Sequence, residues 1–207
     1  GSLGFSCTNT LTKAVVRAAV DDAVRTAKAT KRKDPIKFVP EPAVVKNWSV
    51  PEARKLQDVP AEDKIEEFQH IDRELMDLKC KMPARLFIST NLRIVKYFGN
   101  SEGSRIRSYS PRVRMHYYLT MMKGNDAEQC YRNYGWSGGW EAMREWNALE
   151  KVLEEARTCR NGLEHGVKSP EGRMDLVVGP PVAGIMAHES CGHPTEADRV
   201  LGREASQ

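Results

Sequence analysis

Between Arg112 and Met122 apolar and polar residues alternate without a slip. Val113, Met115, Tyr117, Leu119 and Met121 fall on one side, and Arg112, Arg114, His116, Tyr118 and Thr120 on the other. A period of two is the signature of a strand with one buried face. Shorter runs with strand character flank it: Arg85 to Thr90, Arg93 to Phe98, Arg105 to Tyr109 and Ala127 to Tyr134. Turn residues separate them at Asn100-Ser101-Glu102-Gly103 and at Gly124-Asn125. Leu3 to Cys7 and the apolar run Met174 to Val178 read as two further short strands.

Elsewhere the period lengthens to that of a helix. Thr12 or Thr10 caps a first helix whose apolar stripe is Val15, Val16, Ala19, Val20, Ala23, Val24 and Ala27. Lys28, Lys31, Arg32 and Lys33 gather near its C-terminal end, where cations offset the helix dipole. Five prolines from Pro35 to Pro60 predict an extended connection. A second helix starts at Asp58 or Ala61 and buries Ile65, Phe68, Ile71, Leu75 and Leu78. A third runs from Trp140 to about Arg160, with Trp140, Met143, Leu149, Val152, Leu153 and Ala156 inward, and stops at Asn161-Gly162. A last one begins at Pro181, which suits a first helical turn. This order predicts an α+β fold: a mixed, largely antiparallel sheet with helices on one face, in a single domain over residues 1–207.

Composition changes this picture little. A hydrophobic fraction of 40% and a charged fraction of 29% are ordinary for a globular protein. No apolar run approaches the roughly 20 residues a membrane span needs, and no signal peptide is visible. Five scattered cysteines without CxxC pairing fit reduced thiols, hence a cytoplasmic location. A net charge of +4 is too mild to mark a nucleic-acid binder. One local exception is Arg105, Arg107, Arg112 and Arg114 among Tyr109, Tyr117 and Tyr118. Such a stretch can grip nucleic acid, form a solvated sheet face, or hold a peptide by strand addition; the solvated face is the preferred reading.

The chemistry concentrates in HESCGHPTEADR, His188 to Arg199. Histidine is the commonest neutral metal ligand, and a neighbouring carboxylate can move a proton. The pattern is HExxxH, one residue longer than the helix-borne HExxH of zinc proteases. On a regular helix an i, i+5 pair diverges by roughly 140°, so His188 and His193 can share a metal only if the helix is locally unwound. Gly192 and Pro194 supply a reason for that, through a π-bulge or a break. The competing reading is a buried helix whose histidines hydrogen-bond locally. Cys191 is either a small buried residue or a metal contact. His70, His116 and His165 have no ligand spacing. The GWSGGW loop, Gly135 to Trp140, lacks the Lys-Ser/Thr ending of a P-loop, so it reads as a lid or a packing loop.

DLVVGPPVAGIMAHESCGHPTEADRVLG resembles the active-site region of the TldD/PmbA family, zinc metallopeptidases once called modulators of DNA gyrase. GFSCTN at Gly4 to Asn9, NSEG at Asn100 to Gly103 and GWSGGWE at Gly135 to Glu141 occur in matching order. TldD-type subunits keep HExxxH and their partner subunits lack it, so this chain looks TldD-like. The resemblance implies a zinc-dependent peptidase subunit acting on short or unfolded peptides. His188 and His193 would bind Zn²⁺, and Glu189 would be the catalytic base. Glu196 and Asp198 either orient a ligand histidine or the substrate, or form surface salt bridges with Arg199 and Arg203. It also implies a homodimer, or a heterodimer with a related subunit lacking HExxxH. The third metal ligand would be a cysteine of a later β-rich domain absent from this chain, which alone should be inactive. The rival is a non-catalytic regulator associated with topoisomerase or nucleic acid, which would have no need of Glu189.

Overall fold

The computed structural model describes residues 1–30, 37–200 and 202. Lys31, Arg32, Lys33, Pro35 and Arg203 lie outside them. The chain divides into two compact units, Gly1–Glu164 and His165–Gln207.

The larger unit is built around one long strand. β2 (Lys81–Gly99) and β3 (Arg105–Lys123) form an antiparallel hairpin, and β4 (Asp126–Ser137) pairs antiparallel with the second half of β3. β1 (Val45–Ser49) pairs parallel with Arg105 to Tyr109 along the same edge of β3. The sheet is therefore mixed and largely antiparallel, as its sequence predicts. Tight turns set its register: Gly103 at φ 100° and Gly124 at φ 60° adopt the left-handed backbone that favours glycine. Asn100 also accepts the Ser104 N–H with its side chain at 2.9 Å.

The alternation in β3 is realised in full. Val113, Met115, Tyr117, Leu119 and Met121 are no more than 1% exposed. Against them pack α2 (Ala61–Met76), α3 (Ala142–Glu145) and α4 (Ala148–His165), through Ile71, Leu75, Met143, Val152, Leu153 and Ala156, with Trp146 from the link between α3 and α4. Aromatic rings run through this core: Trp140 against Phe68, then Phe87, Tyr117, Tyr134 and Trp146, with successive centroids 5.8–6.4 Å apart. Ring pairs at such separations add about 0.5–1.5 kcal/mol each beyond their buried area.

Several expected boundaries differ. The two short strands at 85–90 and 93–98 are one strand, because Asn91 and Leu92 stay in register with Val113 and Arg112. The runs 105–109 and 112–122 are likewise continuous. β1 lies within the proline-rich stretch, expected to be an extended connection without a ladder partner. The helix expected from Trp140 to Arg160 breaks at Asn147, whose φ of 49° is left-handed, and then continues past Asn161-Gly162 to His165. Leu3 to Cys7 forms no ladder. Its backbone lies against α1 (Lys13–Ala29), so close that a Cβ on Gly4 would fall 1.9 Å from the Ala23 carbonyl oxygen. Thr12 caps α1 as expected, accepting the Val15 N–H, but Val16, Val20 and Val24 of its stripe stay exposed.

In the smaller unit, Met174 to Val178 is not a strand. A strand needs a partner to satisfy its backbone, and no ladder forms there among the described residues. α5 (Pro180–Ala187) follows, with Pro in its first turn. Then come a π-helical turn, His188–Gly192, a 3₁₀ turn, His193–Thr195, and α6 (Ala197–Val200). No described helix is long and apolar enough to cross a membrane.

Candidate metal centre

The helix begun at Pro180 changes pitch where the histidines sit. The His193 N–H donates to the His188 carbonyl five residues back, in place of the usual four. Gly192 stays helical at φ −61°, ψ −61°, so the widened turn does not depend on a glycine-only conformation. Pro194 has no N–H to continue an α-helical ladder, and its ring fits the 3₁₀ turn that follows. Two side chains hold the loosened turns: the Ser190 hydroxyl donates to the Met186 carbonyl, and the Thr195 hydroxyl donates to that of Cys191 at 2.6 Å.

This unwinding swings the two imidazoles together. Their ring centroids lie 4.4 Å apart, with planes inclined at 70°. Potential ligand atoms of His188, Glu189 and His193 all fall within 4.8 Å of one another. Among the described residues this is the one cluster of three or more His, Cys, Asp or Glu side chains close enough to hold a cation. A regular α-helix would have left the rings on different faces.

The neighbours sort into participants and bystanders. Glu196 Oε1 is 2.7 Å from His193 Nδ1, and its other oxygen is 3.5 Å from Arg199 Nε. A carboxylate at Nδ1 favours the tautomer with a proton there, leaving Nε2 with a free lone pair. Asp198 instead accepts the Arg199 backbone N–H and is not part of the cluster. Cys191 is exposed and outside it too. Glu196 thus contacts both His193 and Arg199, whereas Asp198 contacts neither imidazole. Sequence reading could not separate it from Asp198, because both are acidic residues within five positions of His193.

The other candidate sites come apart. Along β3, Arg105 and Arg107 point to the face that carries Val113, and Arg112 and Arg114 to the opposite one, so the four never form one patch. Arg107 lies 5.8 Å over the Tyr97 ring, Arg105 bonds the carbonyls of Asn100 and Ser104, and Arg114 donates to Asn133. The GWSGGW loop is a packing loop. A Cβ on Gly139 would fall 2.1 Å from the Arg54 carbonyl oxygen, and the Trp140 N–H donates to that oxygen at 2.7 Å. Burial alone would raise the Glu141 carboxyl, but backbone N–H donors, those of Arg54 and Gly139 among them, hold it below the usual carboxylate range. It is a clasp between the loop and the segment before α2, with no anion cradle.

A metalloprotease of Methanothermobacter thermautotrophicus is 31% identical over 50% of this chain and 23% of its own length. One of Methanocaldococcus jannaschii is 26% identical over 98% of this chain and 44% of its own. A third, of Archaeoglobus fulgidus, is 26% identical over 72% and 33%. The chain thus spans less than half the length of these relatives. No solved structure matches it significantly. Residues 54–160, just over half of the chain, match the family model described as the PmbA/TldA metallopeptidase central domain, and the chain belongs to the PmbA/TldD metallopeptidase family.

Proposed function

We propose that this chain supplies metal-binding and proton-transfer residues to a zinc-dependent peptidase of HExxxH type. One observation supports the reading above the others: the π-helical turn that sets two imidazoles face to edge beside a carboxylate. The donor set suits the metal, since zinc takes neutral imidazole nitrogens readily and keeps open positions in catalytic sites.

His188 and His193 would hold the cation, and the Glu196 carboxylate at His193 Nδ1 leaves the ring's other nitrogen available for it. When bound, zinc supplies Lewis acidity, activating a water and polarising a carbonyl. Glu189 accepts the proton of the attacking water on a carboxylate oxygen and returns it to the leaving amine. Glu196 is a positioning residue: it fixes ring orientation and tautomer of His193. Asp198 takes no part in this reading. The family resemblance adds a third ligand, a cysteine from a later domain, and a second subunit in a homodimer or heterodimer. Peptides, short or unfolded, are the substrates, and the cytoplasm is the compartment. No nucleic-acid role is proposed, since the arginines of β3 divide between two faces.

Metal analysis of the full-length protein, beside a peptide-hydrolysis assay with and without chelator, tests this. Near-stoichiometric zinc and chelator-sensitive cleavage are expected. A metal-free protein that cleaves peptides equally well in chelator overturns it.

A further inference from the structure

The segment between β1 and α2 is a strap laid over the sheet and pinned to two of its strands. The Val50 N–H donates to the Tyr109 carbonyl at 3.0 Å, and the Tyr109 hydroxyl donates to Glu52 Oε2 at 2.8 Å. Leu56 is buried in the core, and its N–H donates to Glu52 Oε1 at 2.9 Å. Gln57 then accepts from Arg93 of β2 at 2.7 Å. Between strap and sheet lies a cleft of about 550 Å³, within the larger unit. Strand register fixes its floor: Ser49, Tyr109 and Val95 form one row across β1, β3 and β2. Arg93 and Arg107 stand one same-face position to either side of that row, and Lys55 comes from the strap.

We propose that this cleft binds a small molecule through a diphosphate group shared between Lys55, Arg93 and Arg107. Elsewhere in the unit Arg54, Arg85 and Arg132 each meet a carboxylate. Among the described residues none of these three cations does. Arg93 spends one N–H on the neutral Gln57 amide, and Arg107 one on the Tyr97 hydroxyl at 3.2 Å. A guanidinium carries several N–H donors in a fixed fork, so most remain for a ligand. Glu52, the one carboxylate of the lining, is already met on both oxygens by donors of the fold, which blunts its repulsion of an anion. The two forks enter from opposite sides of the row, four residues of β3 apart, or roughly 14 Å at the backbone. Two linked phosphoryl centres span them, as a lone carboxylate or sulfate does not. Arginine grips phosphate with two prongs and lysine adds a point charge. The lining does not continue as a track for a polymer, because Arg105 is tied to the Asn100 and Ser104 carbonyls and Arg112 and Arg114 take the opposite face. The site uses no metal and no residue from His188 to Glu196, so it stands or falls apart from the peptidase reading.

The test uses the full-length protein in chelator, so that no metal at the histidines can hold phosphate instead. Inorganic pyrophosphate is titrated by calorimetry at ~0.15 M salt, where surface charges are screened. Saturable binding at a single site is expected, at least ~10-fold weaker in Arg93→Gln and in Arg107→Gln. Arg114→Gln, on the opposite face, leaves it unchanged, and circular dichroism is unaltered in all three. Arg93→Gln also disturbs the Gln57 contact, so Lys55→Ala, at an exposed side chain, is the second measure and weakens binding too. Sulfate binds at least ~10-fold more weakly than pyrophosphate. ADP and geranyl diphosphate separate the sources: whichever outdoes pyrophosphate assigns a nucleotide or an isoprenoid, and equal binding of all three assigns the diphosphate alone. The proposal is overturned if pyrophosphate does not saturate, if Arg114→Gln loses as much as the others, or if the Arg93, Arg107 and Lys55 variants bind as well as the parent. It is overturned equally if a single-stranded oligonucleotide displaces pyrophosphate and binds at least ~10-fold tighter, which would mark a nucleic-acid face.

Discussion

β3 and the segment from His188 to Glu196 obey opposite rules. In β3 from Pro111 to Met121 alternate side chains vanish from solvent, as the period of a strand with one buried face demands. From His188 the chain abandons a helical period, and nearly all of its side chains remain exposed. The first region is specified by burial: removing any one of its apolar residues leaves a cavity that neighbours fill only in part. The second is specified by hydrogen-bond geometry, namely a five-residue backbone bond, two hydroxyls on carbonyls and a carboxylate on an imidazole. Stability and the proposed chemistry thus rest on different residues, and substitutions should separate them.

The largest expected effect is on turnover alone. In the full-length protein Glu189→Gln should lower kcat by about 10²–10⁴-fold while zinc content and thermal midpoint stay unchanged. Near-normal turnover would remove Glu189 from the mechanism. Next is a change to stability alone: Leu119→Ala should cost about 2–5 kcal/mol in urea unfolding, because Leu119 is fully buried. Zinc affinity at saturating fold should not move. A third substitution probes the hinge of the comparison. Glu196→Gln should weaken zinc binding by about 10–100-fold, with unfolding free energy unaltered, since the amide holds the ring less firmly than a carboxylate. Equal loss from Asp198→Asn would show that Glu196 is not the orienting group.

The smallest effect is alkaline. Burial, helped by nearby Cys159 and Glu155, pushes the Cys130 thiol up to about 11. The fold holds the neutral thiol more tightly than the unfolded chain does. Its contribution is complete below the ordinary thiol range and lost as pH rises through about 11. Unfolding free energy should therefore decline from about pH 9 upward, and Cys130→Ala should flatten that decline.

The buried face of β3 and the inward residues of α4 were legible because their periods run long enough to dominate noise. Boundaries were less so. Asn91 resembles a turn residue, but sixteen neighbouring pairs to β3 hold β2 straight through it. The break at Asn147 falls on a residue type that tolerates the left-handed backbone, but the apolar helical period runs on across it and masks the stop. β1 hides among prolines because its ladder partner, Arg105 to Tyr109, is far along the chain. At the site the reverse held. The need for unwinding followed from HExxxH by counting, and Pro194 marked where. The Glu196 contact did not, since it depends on a 3₁₀ turn that only the backbone displays.

The π-helical turn also sets a distance in genetic terms. A π-turn is an α-helical turn holding one residue more. Removing the codon for Ser190 would shorten HESCGH to HECGH, the spacing at which an ordinary helix already stacks its first and fifth residues. The wide turn would then have no residue to accommodate, and the two imidazoles would still meet. By this count the motif stands one in-frame triplet away from the commoner zinc-protease spacing, with the extra residue absorbed by backbone pitch and the side-chain pairing preserved.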